Sequence, residues 1–562
     1  MADPVLTPSR RHLLKTLAAI GVGGTVFQRA VVAQAPKDGP ITAEMIQQAE
    51  WISGIKLSDD DRKTLVRRIA DNQRQFTRLR QVNLTNDIPP AFAFIPTSQP
   101  AKPDPPRPGS WLSGGVPKKP ESAEDLAFLP LMALSELVRK KDVSSVELTK
   151  LYLERLKKYD PALKCVVSLT EELALKQAEA ADKEIAAGKY RGPLHGIPWG
   201  AKDLISYPGY KTTWGAAPFK EQSLDTKATV ARKLEDAGAV LVAKTTLGAL
   251  AQGDQWFGGM TRNPWNVKQG SSGSSAGSSS AVVAGLIGFA IGSETLGSIV
   301  SPCTRCGASG LRPTFGRVSR AGCMTLAWTM DKLGPICRSI EDCALVFRAI
   351  HGSDPLDSAA VDRPFQWPPT VDLKSLRVGY VEGKKAVADR KELQVLKDLG
   401  VTLVPITMPD KYPADAMHCI LTAEAATAFD DLTRKGITEG LNLWTGSFRA
   451  GQFIPAVEYI RANRVRTLLM REMEKLFEKV DLYVGGNDLV ITNFTGHPTA
   501  VLPNGLRKVD DVEVPTAITF TGRLYGETEL LTVAHLYQNA TGHHLKHPPM
   551  DKVTVENAEK KG

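Results

Sequence analysis

Residues 270–312 read GSSGSSAGSSSAVVAGLIGFAIGSETLGSIVSPCTRCGASGLR: two Ser/Gly-rich loops around a run of small apolar residues, Ala281 to Ile291. A serine hydroxyl is a weak nucleophile until a neighbouring base takes its proton. Glycines let backbone N–H groups come close to a ligand, in conformations that a side chain forbids. The stretch holds no His, and no Cys before Cys303. The chemistry it suggests is serine nucleophilic catalysis without an imidazole base. The apolar run between the loops is long enough for a buried helix that would fix their separation.

Other readings of these residues fail on chemistry. Gly292 to Ser298 has the glycine spacing of a phosphate loop but no lysine ahead of the hydroxyl. Gly273-Ser274-Ser275-Ala276-Gly277 matches the nucleophile elbow formally. That elbow needs an apolar strand before it, and the approach here is Asn263-Pro264-Trp265-Asn266-Val267-Lys268-Gln269. Cys303 and Cys306 form a lone C-x-x-C with no further ligands at zinc spacing. The seven cysteines are too few and too dispersed for a disulfide scaffold and read as packing thiols.

Several elements must position the loops. Leu129 to Leu137, Ser145 to Tyr159 (capped by Ser144 or Ser145) and Glu171 to Ala187 carry a helical apolar stripe. After the turn-rich Gly192 to Pro198, a short strand ends in Lys202-Asp203. A helix over Ala228 to Ala237 leads to Ala239-Val240-Leu241-Val242-Ala243-Lys244, which reads as a buried parallel strand. Strands are expected again at Arg377 to Tyr380, Thr402 to Pro405, Leu482 to Val484 and Ala517 to Phe520. The fold class is α/β: one large domain with a twisted, mixed but mostly parallel sheet covered by helices on both faces, plus an N-terminal helical extension.

The domain limits follow composition. Residues 1–35 pair Arg10-Arg11 with a modest apolar stretch, Thr16 to Phe27, and end at Ala33-Gln34-Ala35, as a twin-arginine export signal does. The expectation is an exported protein, periplasmic or secreted, without stable membrane insertion once the signal is removed. Residues 36–95 form a helical segment packed on the main domain, with Asp59 to Asp61 capping its second helix. Prolines crowd 96–123, a linker. The core domain spans 124–548, and 549–562 is a polar, frayed tail. Apolar content of 42% and charged content of 23% are ordinary for a globular protein. The net charge of +9 is scattered, with no basic stripe interleaved with aromatics, which argues against nucleic acid as a partner.

Gly273 to Ser278, Gly292 to Ile299 and Cys306 to Thr314 together resemble the amidase signature family. Gly196-Ile197-Pro198 with Lys202-Asp203 is similar to that family's lysine motif. Asn263-Pro264-Trp265, Arg317-Val318-Ser319, Asp331 to Pro335, Ser339 to Asp342, Asn493 to Pro498 and Pro515 to Leu531 follow in the family's order. The resemblance covers roughly residues 125 to 540.

The resemblance implies a Ser–Ser–Lys relay with no metal or organic cofactor. Lys202 would be the base, and it must be neutral, although a free lysine has a pKa of about 10.4. Asp203 beside it would oppose that if its carboxylate touched the amine, so the carboxylate is expected to point elsewhere. The repeated Gly-Ser units permit a bridging serine at Ser271 or Ser274. The family's spacing of 24 residues to the nucleophile selects Ser274 and Ser298. A cis peptide is implied before the bridge, at Gly273–Ser274. The backbone N–H groups of Thr295, Leu296, Gly297 and Ser298 would form the oxyanion hole. Three positions depart from the family: Glu294 where it has Asp, Leu296 where it has Gly, and Val300 where it has Arg, which removes a buried cation.

The implied activity is hydrolysis of a carboxylic amide through a serine acyl-enzyme. The alternatives are the glutaminase-type subunit of a tRNA-dependent amidotransferase, and a non-catalytic ligand-binding relative. A small-molecule amide is the expected partner, and a homodimer stays open. Trp256, Phe257 and Trp328 are candidates for the acyl pocket.

Overall fold

The computed structural model describes residues 40–84, 118–382, 387–486 and 488–559 of the 562. The expected export signal and most of the proline-rich linker lie outside the described residues. The chain divides into two compact units, 1–74 and 75–562. In the first, the helix Ala43–Ser53 starts on Thr42, whose hydroxyl accepts from the Met45 N–H, and ends on Gly54. Asp59, Asp60 and Asp61 open the next helix, where Ser58 Oγ accepts from the Asp61 N–H at 3.2 Å. Arg62 then donates to Glu50 from Nε at 2.6 Å.

The second unit is built on eleven strands: β1 (Val166–Leu169), β2 (Pro198–Lys202), β3 (Val240–Thr245), β4 (Phe289–Glu294), β5 (Ser309–Arg312), β6 (Lys332–Cys337), β7 (Arg377–Val381), β8 (Thr402–Ile406), β9 (Leu482–Val484), β10 (Thr499–Val509) and β11 (Val512–Gly522). They form one sheet in the order β1-β3-β2-β4-β6-β5-β10-β11-β9-β7-β8. The sheet is mixed, as expected, but the expected parallel majority is not there. Only β2 with β3, β2 with β4, β7 with β8 and β7 with β9 pair in parallel. The other six neighbour pairs are antiparallel. The long hairpin of β10 and β11 accounts for part of this, and β6 runs back between β4 and β5. Apolar composition marks a strand as buried without fixing its direction.

Alternate residues face opposite sides of a strand. Phe289 and Ile291 of β4 join one apolar cluster with Trp199, Leu241 and Phe347, and Ala290 joins a second with Val240, Val242 and Ile287. Both faces of the sheet are therefore covered, and β2, β3 and β4 are buried throughout.

Four helices bear on the site: α1 (Ala276–Val283), α2 (Val300–Cys306), α3 (His418–Ala428) and α4 (Ala456–Lys479). The single buried helix expected over Ala281 to Ile291 is instead the end of α1, a turn, and β4. Gly285 makes the turn at φ 64°, a left-handed conformation that glycine accepts readily. The Leu286 N–H closes it on the Ala281 carbonyl at 2.9 Å, and Arg155 donates to the Ala284 and Gly285 carbonyls at 3.0 and 2.7 Å. The tail also differs from expectation. Met550, Val553 and Ala558 are buried in the second cluster, so the chain is packed through residue 558.

Candidate active site

β2 and β4 are parallel neighbours, so both run toward the same edge of the sheet, and Lys202 and Glu294 stand at their carboxyl ends. Loops at that edge are where open α/β sheets hold ligands. One serine loop, 271–275, leads into α1; the other, 295–299, leads from β4 into α2.

Lys202 is fully buried among hydroxyls and one carbonyl. Its Nζ lies 2.8 Å from Ser274 Oγ, 3.1 Å from Ser275 Oγ, 2.9 Å from Ser293 Oγ and 3.3 Å from the Ser293 carbonyl. Among the described residues no carboxylate is within hydrogen-bond reach of it. Burial lowers its pKa to about 7, against the opposing pull of Asp331 and Glu294. Asp203 indeed points elsewhere. Its carboxylate pairs with Lys244 Nζ at 2.6 Å and accepts from the Thr213 N–H at 2.8 Å. Ser274 follows a cis peptide from Gly273. The Ser271 hydroxyl instead donates to the Ser272 carbonyl at 2.9 Å, so of the two frames it is Ser274 that meets the lysine.

The Ser298 carbonyl accepts from the Ser275 N–H at 3.1 Å, which brings residue 298 beside the bridge loop. Its side chain is half-buried, and its hydroxyl makes no hydrogen bond among the described residues. Gly297 turns the chain at φ 90° just before it. Among the described residues, the N–H groups of Thr295, Leu296, Gly297 and Ser298 donate to no acceptor. Together they are four free backbone donors on one turn next to an unengaged hydroxyl.

What holds this turn was only partly visible in the sequence. Glu294 Oε2 accepts from the Ile299 and Val300 N–H groups at 2.8 and 3.0 Å, bracing the turn from below. Its Oε1 accepts from Arg312 and Asn493, each at 2.8 Å. Burial alone would raise this carboxyl; Arg312, Lys332 and the Val300 N–H bring it down to about 2. Arg312 is thus a fully buried cation paired with Glu294 at 2.8 Å. Asp331 Oδ1 accepts from the Thr295 hydroxyl at 2.6 Å, and its Oδ2 from the Leu326 and Ala327 N–H groups at 2.8 and 3.0 Å. The longer arm of Glu294 and the position of Asp331 were in view as motif positions, but the partners that tie them into the site, Arg312 and Asn493 for Glu294 and Thr295 for Asp331, lie far along the chain.

All seven cysteines are free thiols, and Cys303 and Cys306 sit buried on α2. Among the described residues no group of three or more His, Cys, Asp or Glu is placed to hold a metal ion, and no helix is long and apolar enough to cross a membrane. Trp328 lines a cavity of about 610 Å³ with Glu424 and Tyr459. Trp256 and Phe257 are not among its walls; they pack edge-to-face on each other with centroids 4.7 Å apart.

Residues 147–485 match the family described as Amidase. The A subunit of glutamyl-tRNA(Gln) amidotransferase from Geobacter metallireducens is 32% identical over 486 residues, covering 75% of this chain and 99% of its own length. Its counterpart from Moorella thermoacetica is 31% identical, with 76% and 99% covered. Among solved structures, native peptide amidase from Stenotrophomonas maltophilia superposes with a TM-score of 0.65 at 27% identity, covering 75% of this chain and 98% of its own. The fold is α/β, and its relatives are amidase-type hydrolases that act on amide C–N bonds. The chain belongs to the amidase signature family.

Proposed function

We propose that the protein hydrolyses a carboxylic amide through an acyl-enzyme on Ser298, with Ser274 passing protons between Ser298 and Lys202. Neutral Lys202 takes the Ser274 proton while Ser274 takes that of Ser298, and the Ser298 oxygen bonds to the carbonyl carbon. The oxyanion is met by the free N–H groups of residues 295–298. The C–N bond then breaks, and the leaving nitrogen collects the relayed proton. Water, deprotonated by the same route, releases the acid and regenerates the serine. The observation that carries this reading is the fully buried amine of Lys202 at 2.8 Å from Ser274 Oγ.

The test is a panel of small amides and anilides, with glutamine included, against wild type, Ser298→Ala and Lys202→Ala. Turnover abolished in both variants is expected. Turnover unchanged in Ser298→Ala overturns the nucleophile.

A second reading has support from the amidotransferase relatives: a glutaminase-type subunit that feeds ammonia to a partner. It predicts glutamine as the preferred amide and a rate that depends on added partner subunits. The twin-arginine-type sequence at 1–35 supports the exported reading against it. Fusion of these residues to a reporter decides: an unprocessed cytoplasmic reporter favours the subunit.

A further inference from the structure

The cavity beside Trp328 is not used by the relay, yet the short stretch 328–331 reaches both: Trp328 forms part of its wall, and Asp331 holds Thr295 of the 295–298 turn. The Thr329 N–H and hydroxyl donate to Glu424 on α3 at 2.9 and 2.8 Å. Tyr459 of α4 donates its hydroxyl to the same carboxylate at 2.8 Å. Arg466, also on α4, donates to the Thr329 hydroxyl and carbonyl at 2.9 and 2.7 Å. Arg320 donates to the Trp328 carbonyl at 2.5 Å. The peptide that follows Trp328 is therefore held at both its carbonyl and its N–H, while Trp328 itself stays 46% exposed. Two residues beyond Thr329, Asp331 holds Thr295.

Apolar packing runs the same way. One cluster holds Ala327, Met330 and Phe494, and packs Leu296 of the catalytic turn, Ile454 and Tyr459 against them. Ile454 and Tyr459 also line the cavity. The volume, about 610 Å³, lies within the roughly 300–1,000 Å³ typical of small-molecule sites. The polar groups around it are already committed. Glu424 has three donors from Thr329 and Tyr459, and Asp430 takes Arg434 and Gln452. What is left to offer a ligand is chiefly the indole face and small apolar side chains such as Ala423 and Ala426.

We propose that this cavity is the subsite for the part of the substrate remote from the scissile bond, and that it takes an aromatic group stacked on Trp328. The inference rests on the amidase reading and deepens it, naming aromatic amides as the substrate class. With its backbone held, Trp328 offers a broad apolar face, and an aromatic ring stacked on it gains beyond simple burial.

The experiment compares kcat/KM for propionamide, 3-phenylpropionamide and N-benzylpropionamide, the last two placing the ring on the acyl or the amine side. Wild type is expected to favour one aromatic amide over propionamide. That ratio should fall about tenfold in Trp328→Ala and in the cavity-filling Ala426→Phe, mainly through KM, and recover in Trp328→Phe. An equal ratio in wild type and Trp328→Ala overturns the subsite while leaving the amidase reading intact. Should wild type turn over none of the three, calorimetric titration of 3-phenylpropionamide into Ser298→Ala and its Trp328→Ala double variant decides. Binding that needs Trp328 supports the subsite; binding indifferent to it, or absent, overturns it. Failure of the amidase reading shows separately, as no Ser298-dependent turnover of any amide.

Discussion

The amine of Lys202 sits 2.8 Å from the hydroxyl of Ser274, and no carboxylate among the described residues touches either. A neutral amine has two hydrogens and one lone pair. The surroundings match that inventory: Ser293 offers a carbonyl to accept, and Ser274 a hydroxyl to donate. The Ser275 hydroxyl is tied up with the Ser293 carbonyl at 3.1 Å, so the hydroxyls still able to donate to the amine are those of Ser274 and Ser293, at 2.8 and 2.9 Å. An ammonium there would lose water and gain no ion pair.

A pH profile comes out of this arrangement. As the proposed base, Lys202 would act only when uncharged, and its pKa is lowered by burial to about 7. The kcat/KM should rise about tenfold per pH unit below 7 and level off above it. Initial rates from pH 5 to 9 check this. A flat profile through 7 would remove Lys202 from the role of base.

The same burial costs stability. The unfolded lysine keeps its proton to about pH 10.4, so between that pH and 7 the folded state binds fewer protons than the unfolded one. The penalty is absent above pH 10.4, grows as pH falls, and is constant below 7. Lys202→Met should abolish turnover yet gain about 2–4 kcal/mol at pH 7, the gain shrinking toward pH 10. Denaturant melts at pH 7 and 9.5 measure the difference.

Asp331 acts on two parts of the site at once. It anchors the Thr295 hydroxyl at 2.6 Å, and its charge opposes the drop in the Lys202 pKa. Asp331→Asn keeps the shape and removes the charge. The acid limb of kcat/KM should therefore move below pH 7, while kcat falls about tenfold as the turn loosens. A limb that stays in place would show that Asp331 serves only as an anchor.

How much of this could be read from the chain depends on the range of the interactions. The strand ending in Lys202 and the Ser144 cap, whose Oγ accepts from the Glu147 N–H at 2.9 Å, are local patterns and were legible. The spacing from Ser274 to Ser298 was legible through family resemblance. The break between α1 and β4 was not, because Ala281 to Ile291 is apolar throughout and has no period to choose helix or strand. Strand directions were hidden for the same reason. The braces of the turn escaped because Glu294 meets Asn493 across 199 residues and Arg312 across 18, distances over which composition carries no geometry.

Glu294 gives the sharpest test of those braces. Its fully buried carboxylate accepts four hydrogen bonds, two from the backbone below Ser298 and two from Arg312 and Asn493. Glu294→Gln has nearly the same shape but leaves the Arg312 guanidinium buried without its counter-charge. Breaking a buried pair from one side costs about 3–5 kcal/mol. With the Ile299 and Val300 N–H groups less firmly held, the Ser298 turn drifts, and a shift of about 1 Å is enough to lower kcat about 100-fold. The pH dependence separates this from a general loss of packing. Wild-type Glu294 has a folded pKa of about 2, below the ordinary 4.5, so its contribution is complete above pH 4.5 and is lost as pH falls toward 2. Urea melts at pH 7 and pH 3 should show the variant far less stable than wild type at pH 7 and closer to it at pH 3. A gap of the same size at both values would mean that the carboxylate charge is not what holds the turn.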